Sequence, residues 1–178
     1  MPTKQITFKE LWDNYPDEDD VIHRNPDTGK DLLGNYCAVK VSDALLDSGV
    51  SMKSFRGARC WNCPQKITHA IRATELANWL RKRPFPGCPK PLELTGKNFK
   101  EALDDKKGII YFEDYWQRKG EEGTDRRTGD HIDLWDDGVL AGSGHFESFF
   151  RVTLGLSWDG WFSDHELSKV VLFWEMKK

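Results

Sequence analysis

Cys37 is the residue of this sequence best placed to act as a nucleophile. Asn35 can cap a helix that starts here, and Ala38, Val41 and Leu45 recur at spacings that share one helical face. We therefore predict that Cys37 lies in the first turn of a helix, where unpaired N–H groups and the helix dipole favour a thiolate. The same N–H groups can stabilise an oxyanion. A buried cysteine that only packs is the alternative, and it is the commoner fate of a free thiol.

His131 is the candidate base for that thiol. It stands at the head of an alternating segment, residues 130–135, which predicts a strand. An imidazole can take the thiol proton and later return it to a departing amine, because its pKa lies near neutrality. A surface histidine on an edge strand is the alternative. If the two side chains meet in the folded chain, they predict hydrolysis of an amide bond.

The composition narrows the classes of protein to consider. The chain has 178 residues, 38% of them hydrophobic and 31% charged, with a formal net charge of −3, as is typical of a globular domain. The charge argues against a nucleic-acid-binding protein, and no apolar run is long enough for a membrane span. Residues 1–6 lack the apolar core of a secretory signal, so we expect synthesis in the cytoplasm without export by the general secretory route.

The sequence places helices first and strands later. Apolar residues at helical spacings predict helices over residues 8–12, 35–49, 69–82 and 99–103. Apolar β-branched and aromatic residues predict strands over residues 108–112, 130–135, 139–142 and 167–176. This order predicts the α+β class, with N-terminal helices packed on an antiparallel sheet.

Two of these segments resemble a known family. Residues 130–135, Asp-His-Ile-Asp-Leu-Trp, and residues 35–42 around Cys37 are similar to the fourth family of type VI secretion amidase effectors. That family is a branch of the papain-like, NlpC-type peptidoglycan peptidases. The similarity covers most of the chain and includes residues 8–16, 75–80, 108–116 and 150–174.

The resemblance implies a papain-like fold and a single amidase domain over residues 1–178. It implies that Cys37 and His131 are catalytic, that Asn35 assists the oxyanion, and that no metal or organic cofactor takes part. Family members are injected into the periplasm of a recipient bacterium, where they cut stem peptides between γ-D-glutamate and meso-diaminopimelate. The implied partners are the peptidoglycan stem peptide, components of the secretion apparatus, and a cognate immunity protein that plugs the groove.

The sequence departs from this family at the third catalytic residue. Family members usually carry an Asp on the return strand after the histidine, which orients the imidazole. That position falls near Gly142, where no carboxylate stands. Ser143 is adjacent, and Asp133 shares the strand face of His131, although side chains two residues apart usually point parallel. Either a hydroxyl, a backbone carbonyl or a remote carboxylate orients the imidazole, or the activity is weakened.

The other three cysteines allow three interpretations. Cys60 and Cys63 form a C-x₂-C pair, and His69 and Cys88 follow. The four residues could hold zinc as a Cys₃His site, although the spacing is not diagnostic. A disulfide from Cys60 or Cys63 to Cys88, formed in the oxidising periplasm, is the interpretation we favour. Free thiols are the third.

Two rival functions stay open. A papain-like thioester can be resolved by an amine instead of water, which would make the protein an acyltransferase or transglutaminase. Alternatively, the eight tryptophans could serve a non-catalytic module that binds the cell wall. The products of peptidoglycan digestion distinguish these functions from hydrolysis.

Overall fold

The computed structural model describes residues 5–21, 23–25, 27–61, 63, 68–142 and 165–178. Among these residues, the helices are α1 (Phe8–Asp13), α2 (Glu18–Val21), α3 (Cys37–Asp47), α4 (Ala73–Leu80) and α5 (Phe99–Ala102). The strands are β1 (Leu92–Leu94), β2 (Lys107–Trp116), β3 (Gly129–Asp136), β4 (Val139–Leu140) and β5 (Val170–Glu175). Ser143 lies outside the described residues.

The described strands form one antiparallel sheet in the order β1-β5-β2-β3-β4. The central strand is β2, and its residue Ile109 lies opposite Leu134 of β3 and Trp174 of β5. Helices α1, α3 and α4 precede every strand in the sequence. The predicted α+β class, with N-terminal helices on an antiparallel sheet, is confirmed.

Both faces of the sheet are covered. One face packs against α1, α3 and α4, and it contributes Ile109, Tyr111, Ile132, Leu134, Leu172 and Trp174. The other face packs against α5, and it contributes Ile110, Phe112, Trp135, Val171 and Phe173. Burial on both faces explains why the centre of β2 is a continuous apolar run and does not alternate with polar residues.

Helix α3 begins one residue later than its predicted cap implies. The N-cap residue is Tyr36, whereas Asn35 lies just before it and accepts a hydrogen bond from the Cys37 N–H at 2.8 Å. Cys37 is the first residue of the helix, as predicted. The helix ends where Gly49 adopts a φ of 89°, a left-handed conformation that glycine accepts at little cost.

Helix α4 is shorter than predicted, because residues 69–72 are extended. The backbone of Ala70 forms a bridge with Arg59, and its N–H donates to the Ser42 hydroxyl at 3.0 Å. These contacts come from parts of the chain distant in sequence, and they override the local helical pattern. The difference matters because it leaves His69 outside the helix.

The hairpin between β3 and β4 turns at Asp137 and Gly138. Both have positive φ angles, 44° and 92°, as a two-residue type I′ turn requires. The return strand is limited to Val139–Leu140, shorter than the predicted residues 139–142. Gly142 therefore lies beyond the strand.

Gly108 is expected to be the glycine of the sheet least tolerant of substitution. A Cβ at this position would lie 2.0 Å from the Trp174 carbonyl oxygen of β5, so the strands would have to separate. We expect Gly108→Ala to lower the free energy of unfolding by about 2–4 kcal/mol in urea denaturation. Gly34→Ala is the control, since nothing lies within 4 Å of its Cβ. Equal stabilities of the two variants would contradict this account of the sheet.

Candidate active site

Helix α3 and strand β3 bring Cys37 and His131 to one place. α3 packs directly against β3, so the start of the helix faces the start of the strand. The two side chains line one open cavity of about 500 Å³, and interaction with Cys37 is among the influences that raise the pKa of His131. A thiol and an imidazole that interact in this way can exchange a proton, which is the requirement for an activated sulfur nucleophile.

Asp133 contacts the other side of the His131 ring. Its Oδ2 lies 3.2 Å from Nε2 of His131, so that nitrogen donates when the carboxylate accepts, and Nδ1 of a neutral ring is then the nitrogen that can accept a proton. The Asp133 side chain is 0% exposed, and that of His131 is 15% exposed. Strand geometry alone suggests that the two side chains point parallel. The Asp133 carboxylate instead turns toward the His131 ring.

Three further donors hold the Asp133 carboxylate. The Tyr15 hydroxyl donates to Oδ1 at 2.7 Å, the Leu134 N–H donates at 2.8 Å, and the Gly142 N–H donates at 3.1 Å. Each group comes from a different part of the fold. A carboxylate fixed in this way keeps the imidazole in one orientation and one tautomer.

The pKa of His131 is raised well above its usual value. Burial is the largest influence and opposes the charged ring. It is outweighed by electrostatic attraction from Tyr115, by hydrogen bonds to Asp133 and Cys37, and by the charge of Cys37. The site therefore favours an imidazolium next to the sulfur.

The groups available for an oxyanion lie in the first turn of α3. The Cys37 N–H is already bonded to the side-chain oxygen of Asn35. Helix geometry leaves the N–H groups of Ala38 and Val39 without intrahelical acceptors, because the first such bond runs from Lys40 to Tyr36. Asn35 also lines this cavity, and its side-chain amide has an NH₂ group that can donate.

Cys37 also lines a second cavity, of about 640 Å³, so the sulfur lies between two open spaces. The second cavity carries the Arg72–Glu75 pair at 3.0 Å and the Arg118–Asp130 pair at 3.9 Å. The first cavity carries Asp31 and Lys40. The two spaces form a groove with charges of both signs on each side of the nucleophile.

A family profile matches residues 33–174 of the chain. The profile is that of "Type VI secretion system (T6SS), amidase effector protein 4", or Tae4. The chain belongs to this family. It is therefore a peptidoglycan amidase effector of the type VI secretion system, and the resemblance noted in the sequence is confirmed. Its action on peptidoglycan places its work in the periplasm of the target cell.

Solved structures of Tae4 proteins share the fold. The Tae4–Tai4 complex from Enterobacter cloacae matches with 19% sequence identity and a TM-score of 0.65. The match covers 98% of this chain and 100% of the chain in that structure. The Tae4–Tai4 complex from Salmonella typhimurium matches with 18% sequence identity and a TM-score of 0.62. That match covers 97% of this chain and 99% of the other. The papain-like, NlpC-type architecture is consistent with this likeness. No curated protein matches the sequence.

The described part of this Tae4 chain has no helix with the length and apolar character needed to cross a bilayer.

Gly142 explains the unusual third position of this Tae4 protein. A Cβ added there would lie 2.7 Å from Oδ2 of Asp133 and 3.1 Å from the Tyr15 hydroxyl. The Asp133 carboxylate thus fills the space that a side chain at position 142 would enter. A carboxylate from β3 stands where the family resemblance predicts one from the return strand.

The predicted disulfide is absent from this structure, in which all four cysteines are free thiols. Cys88 is buried, and its sulfur contacts the Leu80 carbonyl at the end of α4. Cys60 and Cys63 lie elsewhere, in a cluster with His23 and His69. Because the cysteines belong to two separate clusters, the favoured bridge to Cys88 is corrected, and so is the Cys₃His ligand set.

Several residues of the site carry no signal in the sequence. Tyr15 lies just before a proline, and its hydroxyl meets Asp133 only by tertiary contact. His165 stacks on Tyr115 with ring centroids 4.8 Å apart, and it lies 6.1 Å from the ring of His131. A spacing rule cannot find such residues, since each partner is remote in sequence.

Proposed function

We propose that this Tae4 protein hydrolyses the amide between γ-D-glutamate and meso-diaminopimelate in stem peptides, with Cys37 as nucleophile and His131 as base and acid. The observation that carries this proposal is that Cys37 and His131 line one cavity, with the Asp133 carboxylate 3.2 Å from the His131 ring. Asp133 is the positioning residue. Ser143, which is outside the described residues, is our second candidate for this role.

The reaction follows from the positions of these groups. The Cys37 thiolate attacks the γ-glutamyl carbonyl carbon and forms a C–S bond. When the C–N bond breaks, the His131 imidazolium gives its proton to the leaving amine, and a thioester stays on the sulfur. His131 then takes a proton from water, which attacks the thioester, and the γ-carboxylate is released.

The oxyanion of each tetrahedral intermediate needs donors next to the sulfur. The N–H groups of Ala38 and Val39 lie in the first turn of α3, where the helix dipole also favours negative charge. The Asn35 side chain orders this turn through its bond to the Cys37 N–H. Asn35 therefore assists chiefly by positioning, with its NH₂ group as a further donor.

The groove suits a substrate with charges of both signs. The scissile bond joins a glutamate with a free carboxylate to a diaminopimelate with an amine and a carboxylate. Arg72 and Arg118 line one side of Cys37, whereas Asp31 and Lys40 line the other. Carboxylate binding by the arginines fits this arrangement, because guanidinium groups bind carboxylates in fixed geometry.

We extend three further features of the family to this chain. The related structures contain Tai4 together with Tae4, and we propose that a cognate immunity protein covers the groove of this effector as well. Components of the secretion apparatus carry the protein to the recipient. Residues 1–178 act as one amidase domain made in the cytoplasm.

Digestion of purified peptidoglycan, followed by mass spectrometry of the soluble fragments, tests the function. Hydrolysis is expected to release fragments with a free γ-carboxylate on glutamate and a free amine on diaminopimelate, which together are heavier than the uncut stem peptide by one water. Fragments that carry an added amine would identify an acyltransferase. Binding to the wall without new fragments, unchanged by loss of Cys37 and His131, would identify a binding module.

A further inference from the structure

Four side chains outside the proposed active site form a cluster of metal-ligand type. They are His23, Cys60, Cys63 and His69, and their ligand atoms all lie within 4.8 Å of one another. Cys60 and His69 are buried, and the other two are partly buried. The cluster joins parts of the chain that come from the loop before α3 and from the region between α3 and α4.

Two distances in the cluster match a tetrahedral zinc site. The Cys63 sulfur lies 3.5 Å from Nε2 of His23 and 3.4 Å from Nε2 of His69. Zinc bonds of about 2.3 Å to sulfur and about 2.0–2.1 Å to nitrogen, at tetrahedral angles, separate the two ligand atoms by roughly 3.6 Å. Cys63 and the two imidazoles are therefore already spaced to share one ion.

Each imidazole is also held by its other nitrogen. Nδ1 of His69 lies 2.9 Å from Oδ1 of Asp43, and Nδ1 of His23 lies 2.6 Å from the Val21 carbonyl oxygen. A carboxylate or a backbone carbonyl in this position is the usual outer partner of a zinc-bound histidine, because it fixes the ring and the tautomer. Both Nε2 atoms consequently face the sulfur.

We propose that His23, Cys60, Cys63 and His69 bind one Zn²⁺ ion as a closed, structural Cys₂His₂ site. Two thiolates and two neutral imidazoles balance the charge of the ion, and four protein ligands leave no position for substrate. The ion is thus separate from the hydrolytic reaction, which needs no metal. His23 replaces Cys88 in the ligand set considered from sequence spacing.

The site would fasten one wall of the groove to helix α3. The His23 N–H donates to the Tyr36 hydroxyl at 3.1 Å, and the His23 carbonyl accepts from the Leu32 N–H at 2.7 Å. Tyr36 caps the helix that begins with Cys37, and Asp43 lies on the same helix. Zinc would therefore tie the loop that leads to the nucleophile to the body of the domain.

Metal content measured on the full chain tests the proposal. Cys37→Ala is the parent protein, so that the reactive thiol does not add to the binding. After reconstitution with zinc under reducing conditions and removal of excess, we expect about one zinc ion per chain by plasma mass spectrometry. Cobalt in place of zinc should give the absorption of a tetrahedral thiolate complex.

Variants locate the ion. In this parent, Cys63→Ser and His23→Asn are each expected to lose the stoichiometric zinc. Asp43→Asn is expected to weaken zinc affinity about 10- to 100-fold while keeping the ligands. Cys88→Ala is the matched control and should bind zinc as the parent does, since its sulfur lies in the other cluster. Chelation should lower the melting temperature of the parent, and added zinc should restore it. This measurement needs no ligand variant, so it tests the proposal even if a variant does not fold.

Three outcomes would overturn the proposal. They are a parent that takes up no stoichiometric zinc, zinc retained by Cys63→Ser, and a Cys60–Cys63 disulfide that persists under the reducing conditions and prevents metal binding. None depends on peptidoglycan cleavage, so the zinc proposal and the proposed function can fail separately.

Discussion

Cys37→Ala is expected to abolish the release of peptidoglycan fragments while the fold persists. The sulfur forms the covalent bond of the proposed reaction, and no neighbouring group can replace it. Loss of the nucleophile from a catalytic unit lowers kcat by about 10⁴-fold or more. Fragment release from purified sacculi measures the activity, and circular dichroism with thermal unfolding measures the fold.

Cys88→Ala is the matched control for this prediction. It removes a buried thiol on the α4 side of the core, away from the groove. We expect it to cost roughly 1 kcal/mol or more of stability and to leave fragment release intact. Full activity of Cys37→Ala, in preparations free of wild-type enzyme, would rule out the thiol mechanism.

Asp133→Asn is expected to lower kcat/KM by about 10²- to 10⁴-fold. The substitution keeps the size of the side chain but faces the Nε2–H of His131 with an amide that can present an N–H instead of an oxygen. The ring then loses the acceptor that fixes its tautomer. Initial rates on a defined stem peptide, at a series of substrate concentrations, would separate this loss from weaker binding.

The pH profile gives the same variant a second measure. In the wild type, the raised pKa of His131 keeps the imidazolium present to higher pH than in an ordinary histidine, so activity is lost only as the pH rises through that raised pKa. Without the Asp133 charge, the pKa of His131 should fall, because burial continues to disfavour the charged ring. The alkaline limb of kcat/KM should therefore move to lower pH.

Asp136→Asn provides the control on the same strand. Asp136 pairs with Lys107 at 2.7 Å near the far end of β3, away from His131. A partly exposed pair of this kind contributes little, so the variant should keep its activity, its alkaline limb and its stability to within about 1 kcal/mol. A wild-type pH profile for Asp133→Asn would show that Asp133 does not position His131.

The residue that orients His131 lies on β3 and not on the return strand, and the fold accommodates this difference. Gly142 supplies its backbone N–H to Asp133, and the absence of a side chain leaves room for the carboxylate. Tyr15 then completes the set of donors from a different element. The imidazole has a carboxylate partner although the return strand carries none.

The sequence by itself determined the elements that hold the pair. The spacing of Ala38, Val41 and Leu45 specifies α3, the alternation after Asp130 specifies β3, and Asp137-Gly138 specifies the turn after it. These patterns are local, because a helix or a strand is encoded within a few residues. The family similarity then named Cys37 and His131 within those elements.

Only the tertiary structure decided which groups surround them. Asp133 turns toward His131 because Tyr15 and Gly142, from distant segments, bind its oxygens. His69 leaves the predicted helix because Ala70 bonds to Ser42, and this places it beside Cys63 and His23. The direction of a side chain and the residues that surround a cysteine depend on packing between segments far apart in the chain. No local periodicity encodes that packing.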